Sequence, residues 1–318
     1  MRTSTKMKSE TRPKRPKMTR WSILKWTMLF LAAVFVAVNA YFYTNQEAYL
    51  MEPNEEPTGY VERKDLEPAL NRFLTPPGSV LQDDRNEEPP GVGAINFQKF
   101  VSLTQPAKGT LFYLHGNKGS MEQCRWEIEP FLKAGYHVWT MDYRKFGESR
   151  GPVNEIRLLG DANMVYEEIL KTEQIDIIWG RSFGSGIATY LASLNSPKRL
   201  VLETPYWSLP DAVGYTRPFL LSVLFRYRLP TNEYMEYVQC PVHMIHGNAD
   251  EKISFESSKR LDKLCGDLDL QGKLHKIPGG MHNFRPSEKE SNQTDAAFET
   301  ALMESLDLKL EMSRKPRL

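Results

Sequence analysis

The sequence predicts an α/β fold, a mostly parallel central sheet with helices on both faces, preceded by a single transmembrane helix. Three observations carry this. An apolar run over residues 175–179 leads into Gly180-Arg181-Ser182-Phe183-Gly184 and then into small, helix-compatible residues over 186–193. Two later strand-like runs, 242–245 and 273–277, are each broken by glycine. Finally, nine basic residues among the first 25 precede an almost wholly apolar stretch.

In chain order, residues 1–20 read as a basic cytoplasmic tail, in which Glu10 is the one acid. Residues 21–43 read as a transmembrane signal-anchor. The run from 26 to 43 is apolar except for Thr27 and Asn39, and at about 1.5 Å per residue it nearly crosses a hydrocarbon core. Trp21, Trp26, Tyr41 and Tyr43 are interfacial aromatics on this reading. Glu47, Glu52, Glu55 and Glu56 follow before the next base, Arg63, so the positive-inside rule leaves the tail in the cytoplasm. The main domain then faces the periplasm, lumen or exterior. The alternative is a cleaved signal peptide and a secreted protein, given the small residues around Val38-Asn39-Ala40.

Residues 44–90 are rich in Glu, Pro and Asn and read as a tether, with a packed helix over 66–74 as the competing expectation. Residues 91–310 suffice for one α/β core, and 311–318 form a short tail. A net charge of +1 gives nucleic acid no electrostatic footprint. No repeat is visible, and oligomeric state is left open.

A serine between two glycines after a buried strand marks a nucleophile elbow. Its backbone is strained, and a β-carbon at either flanking position collides with the neighbouring strand or helix. Serine needs a base to become nucleophilic, and that base needs an orienting carboxylate. Asp250 follows the strand 242–245 and His282 follows the strand 273–277, so Ser182, Asp250 and His282 fall on loops at the carboxyl edge of one sheet. Rival assignments exist. Asp142 and Glu203 also close strands, Glu203 being the stronger competitor. Of the other five histidines, His137, His243 and His275 lie within strand-like runs as packed or surface groups, and His115 and His246 shape their loops before a glycine.

Five ordered blocks give a resemblance to a known family: Leu111-Phe-Tyr-Leu-His-Gly-Asn117, Asp142-Tyr-Arg-Lys-Phe-Gly-Glu-Ser149, Gly180 to Gly184, Pro241 to Asp250, and Pro278-Gly-Gly-Met-His-Asn283. With them the chain resembles the alpha/beta-hydrolase superfamily, within it the membrane-tethered, small-lid serine hydrolases of serine aminopeptidase-like and depalmitoylase-like type. The resemblance implies an alpha/beta-hydrolase fold, Ser182 as nucleophile, His282 as general base and acid, Asp250 as orienting carboxylate, and the backbone amides of Asn117 and Phe183 as oxyanion hole. It implies an ester or thioester substrate with acyl-enzyme chemistry and neither metal nor cofactor. The alternatives are an aminopeptidase-like peptidase and an inactive binding module. The opening of the domain, residues 92–103, departs from the family pattern, being short for a strand pair.

Between Glu203 and Gln239 lies the room for a lid, about 204–239. Its aromatic content, with Tyr206 and Trp207 nearest the strand exit, is expected to line part of an acyl pocket. Arg217, Arg226 and Arg228 read as solvated charge in preference to recognition of an anionic group. The three cysteines, Cys124, Cys240 and Cys265, cannot all pair, and their settings suggest packing.

Overall fold

A computed structural model of the chain describes residues 19–53, 66–74, 93–285 and 293–307. Most of the basic tail, parts of the 44–90 segment and the 311–318 tail lie outside these residues.

An eight-stranded sheet forms the centre: β1 (Leu70–Leu74), β2 (Ile95–Phe100), β3 (Gly109–Leu114), β4 (Tyr136–Met141), β5 (Ile177–Arg181), β6 (Arg199–Glu203), β7 (Val242–Gly247) and β8 (Gly272–Ile277). Its spatial order is β1-β2-β4-β3-β5-β6-β7-β8. The pairs from β4 to β8 are all parallel, while β1 and β2 join antiparallel at one edge. Alternation along each strand divides the core. Phe112 and Leu114 of β3 face one apolar layer, and Leu111 and Tyr113 face the other. Helices α4 (Glu155–Leu170), α5 (Phe183–Leu194) and α8 (Phe255–Asp267) pack on the first face through Leu158, Ile187 and Leu261. On the second face, α3 (Arg125–Ala134) and α9 (Gln293–Ser305) contribute Phe131 and Leu302.

The sheet begins earlier than residue 91. Leu70–Leu74 is a strand, neither tether nor helix, paired from Leu70↔Lys99 to Leu74↔Ile95. Asn96, buried in β2, donates to the Asn71 side chain at 2.5 Å and so fixes the register. This edge strand supplies the partner that the short opening over 92–103 lacks by itself.

Helix α1 (Arg20–Thr44) is 25 residues long and, by length and composition, is apolar enough to cross a membrane. Thr19 caps its start by accepting from the Ser22 amide. Almost all of its side chains are exposed, but Asn39 and Phe42 are buried against the main domain. The chain does not swing free after α1. A short helix, α2 (Gln46–Leu50), follows, and Glu52 then pairs in parallel with Lys118: the Glu52 amide donates to the Asn117 carbonyl at 2.8 Å, and the Gly119 amide donates to the Glu52 carbonyl. The beginning of the 44–90 segment is therefore part of the folded body.

Between β6 and β7, over the carboxyl edge of the sheet, lie α6 (Leu209–Thr216), a 3-10 turn at Ser222–Leu224 and α7 (Thr231–Met235). These elements occupy the stretch expected to be the lid.

Candidate active site

Ser182 stands between the end of β5 and the start of α5, at φ 49° and ψ −116°, a strained conformation for a residue with a side chain. The flanking glycines are explained by what surrounds them. A β-carbon on Gly180 would lie 2.4 Å from the Gly184 carbonyl oxygen, and one on Gly184 would lie 2.2 Å from the Leu114 carbonyl oxygen. Only hydrogen fits at either place.

The Ser182 hydroxyl lies 3.0 Å from Nε2 of His282, and Nδ1 of the same ring lies 2.8 Å from Oδ2 of Asp250. The three residues predicted from separate strand exits are thus joined in one hydrogen-bonded chain, and all three are buried. Burial drives the His282 imidazole below its usual titration range, a shift only partly opposed by the Asp250 carboxylate, so the ring is held neutral. For Asp250, burial favours the protonated form, but hydrogen bonds from His246 and His282 and from backbone amides outweigh it and keep the carboxyl well below the usual range.

His246 does more than shape its loop. Its Nε2 lies 3.1 Å from Asp250 Oδ2, and its Nδ1 lies 2.6 Å from the Ser258 hydroxyl. The amides of Lys252 and Ile253 donate to the other carboxylate oxygen, each at 2.8 Å. Asp250 is therefore fixed by a buried histidine of its own strand as well as by its loop, and the spacing His246-x-x-x-Asp250 was the available signal.

The rival acids are committed elsewhere. Asp142 accepts from the amides of Met121 at 2.8 Å and Glu148 at 3.4 Å, and burial raises its carboxyl to about 6. Glu203 is buried beneath the site in a charge-balanced cluster that the sequence did not reveal. It accepts two hydrogen bonds from Arg285, one from Arg181 Nε at 3.1 Å and one from Trp179. Arg181 also donates to Glu127 at 2.8 Å and to the Asn283 side chain. Burial alone would raise the Glu203 carboxyl, but the guanidiniums of Arg285 and Arg181 hold it below the usual range. His115 is buried on the rings of Tyr143 and Phe146, where loss of solvent lowers it to about 4.

Ser182 and His282 open onto a cavity of about 680 Å³. Asn117 and Phe183 line it beside Ser182. A β-carbon on Gly116 would stand 3.8 Å from the Ser182 Cβ, so the turn bearing Asn117 lies directly against the serine. The far wall is apolar, made by Leu50, Leu209, Ala212, Val213 and Phe219. Lys118, Arg217 and Lys252 line it as well, with Glu52, paired to Lys118, as the single acid. Tyr206 is in this wall, and its hydroxyl donates to the Phe183 carbonyl at 3.0 Å. Trp207 is not. It packs on the core beneath the Arg260 guanidinium, 4.1 Å from its ring centre, so the expected pocket role for Trp207 is corrected. The sequence also missed the contribution of Tyr49 and Leu50, because these residues precede the hydrolase-like blocks.

Residues 109–228 match the family model described as the alpha/beta hydrolase fold. With the sheet order and the matches below, the chain belongs to the alpha/beta-hydrolase superfamily. Among characterised proteins it is similar to the lysophosphatidylserine lipase ABHD12 of Gallus gallus, with 31% identity over 240 residues, covering 67% of this chain and 57% of the relative. It is similar also to that of Danio rerio, with 30% identity over 200 residues, covering 54% and 51%. The chain spans about half the length of these relatives. Among solved structures it resembles an esterase of Pyrococcus furiosus, at a TM-score of 0.58 and 17% identity, covering 80% of this chain and 98% of the esterase. It also resembles Est1E of Butyrivibrio proteoclasticus with bound ferulic acid, at 0.52 and 16%, covering 68% and 96%. At such identities the likeness is one of fold alone.

Proposed function

We propose that this protein is a membrane-anchored serine hydrolase that cleaves the ester of a single-chain anionic lipid through an acyl-enzyme on Ser182. The observation that carries the reading is the buried chain Ser182–His282–Asp250 at the floor of a half-apolar cavity. His282 takes the serine proton as Oγ attacks the carbonyl carbon. The tetrahedral oxyanion is stabilised by the amides of Asn117 and Phe183, and His282 returns the proton to the departing alcohol. Water then attacks the acyl-serine by the same route, releasing a fatty acid.

The apolar wall suits one acyl chain, and Arg217 and Lys252 suit an anionic headgroup. That the relatives are lysophosphatidylserine lipases supports that class over the thioester and peptide alternatives. Purified full-length protein is expected to release fatty acid from lysophosphatidylserine about tenfold faster than from lysophosphatidylcholine, the worth of one charge-assisted contact. Preferential cleavage of a palmitoyl thioester or an aminoacyl peptide would overturn the substrate assignment.

Helix α1 serves as the anchor on this reading, and charge asymmetry puts the hydrolase domain on the non-cytoplasmic side; protease protection in sealed vesicles tests it. Cleavage near Ala40 is disfavoured, because it would remove Asn39, which bonds the lid segment.

The working base is neutral His282, which is active above its pKa and lost as pH falls through it. Because burial sets that pKa below the ordinary 6.5, kcat/KM should stay high down to pH 6.5 and fall with a midpoint beneath it. A midpoint above 6.5 would contradict the buried, neutral ring.

A further inference from the structure

The lid segment from Arg217 to Arg226 has an unusual composition. Pro218 to Phe225 carries one hydroxyl, Ser222, and no charge, and an arginine closes each end. The segment is fastened to the last turns of α1 and the start of α2 by side chains that serve both its donors and its acceptors. Asn39 donates to the Phe219 carbonyl at 3.2 Å and accepts from the Leu221 amide at 2.9 Å. Gln46 donates to the Leu224 carbonyl at 2.6 Å and accepts from the Arg226 amide at 2.8 Å. Phe42 packs on Leu220 and Phe225 between these two clamps.

With Leu220 and Phe225 used for that packing, Val223 is left 80% exposed and Leu221 43%, and Phe219, which also lines the cavity, is 51% exposed. In water such a cluster is costly. Its depth along α1 explains it. Asn39 lies five residues before Thr44, the last residue of the helix, which is about 7.5 Å along the axis. Backbone bonded to Asn39 therefore lies within the span, at about the 5–10 Å depth to which interfacial segments insert. The flanking charges fit the same level: Arg226 lies over the Tyr43 ring at 5.8 Å and Arg217 over the Tyr49 ring at 5.1 Å, a collar of aromatic and arginine side chains around the end of the helix.

We infer that residues 217–226 form a second membrane contact, inserted in the interfacial layer of the bilayer that α1 crosses, with Phe219, Leu221 and Val223 among the acyl chains and Arg217 and Arg226 at the headgroups. This rests on the reading of α1 as a membrane span. Arg217 and Phe219 also line the cavity above Ser182, so the cavity opens at the lipid surface. A single-chain lipid enters it sideways from the leaflet, with its chain shielded from water throughout.

The test uses the full-length protein in phosphatidylcholine vesicles containing a minority of phosphatidylserine, with the buried native cysteines left in place. An environment-sensitive fluorophore is placed by Val223→Cys, by Val36→Cys in α1, and by Leu103→Cys just after β2, a residue 55% exposed at the amino edge of the sheet, opposite the lid. Labels at 223 and 36 are expected to be quenched by spin-labelled acyl chains and shielded from iodide, and the label at 103 to behave oppositely. Lipid quenching at 36 with iodide quenching at 223 would overturn the inference while leaving the span intact. Iodide quenching at both would remove the span as well. A label at 223 shielded from both quenchers would put a protein surface there, such as a second copy of this chain, and would also overturn it. In the activity arm, Leu221→Asp/Val223→Asp should slow hydrolysis of a vesicle-borne lipid roughly tenfold and leave a soluble p-nitrophenyl ester unaffected. Equal effects on both substrates would overturn the inference.

Discussion

Ser182→Ala is expected to lower ester turnover by roughly 10⁵- to 10⁶-fold and to abolish labelling by a fluorophosphonate probe, while the melting temperature stays within a few degrees of the parent. Among the described residues the Ser182 hydroxyl bonds to His282 alone, and its backbone amide donates to the Glu203 carbonyl, a bond that alanine retains. Alanine also meets no more strain at φ 49° than serine does. His282→Ala should cost about as much, because groups acting as one unit are not additive. Asp250→Asn should be milder but still severe: an amide NH2 would confront the donors of Lys252 and Ile253 or the ring of His246, and the His282 tautomer would be lost. Persistent labelling of the Ser182 variant would move the nucleophile elsewhere.

Arg285→Met is expected to destabilise the protein by about 3–5 kcal/mol, the cost of removing one partner from a buried ion pair. Glu127, Arg181, Glu203 and Arg285 are all buried, two carboxylates against two guanidiniums, so deleting one leaves an uncompensated charge under the sheet. Glu203→Leu combined with Arg285→Met should recover part of the loss, since the pair then leaves together. Thermal melts of Arg285→Met, Glu203→Leu and the double variant measure this. Near-additive losses in the double variant would mean that the two residues are not energetically coupled. The comparison also separates roles at the site. Glu203→Gln should act chiefly on stability, whereas Asp250→Asn should lower kcat well beyond any loss of folded protein.

What the sequence made legible was local. The strand-turn-helix around Ser182 is encoded within about twenty residues, and glycine is required there by contacts that follow from the turn itself. Asp250 and His282 were legible because a glycine-broken apolar run announces a strand exit, and parallel strands bring their exits to one edge. What escaped was non-local. Nothing in Leu70-Asn-Arg-Phe-Leu74 separates an edge strand from a helix or a linker until β2 is in place to pair with it. The cluster of Glu127, Arg181, Glu203 and Arg285 joins four distant segments, and none of these charges read singly announces the others; Glu203 reads as a rival catalytic acid. Trp207 fell one residue past Tyr206, which at a strand exit is enough to turn it from the cavity toward Arg260.

The pairing of Glu52 with the turn at 117–119 changes what counts as the working unit of this protein. A soluble fragment cut between the anchor and the first blocks of the fold would lose the backbone partner of Asn117, along with Tyr49 and Leu50 from the cavity wall and the two side chains that hold the lid. Its loss of activity would then be misread as a need for lipid, when the missing part is covalent. The shortest piece able to report on the native protein starts inside α1, and detergent or vesicles belong to its purification from the first step.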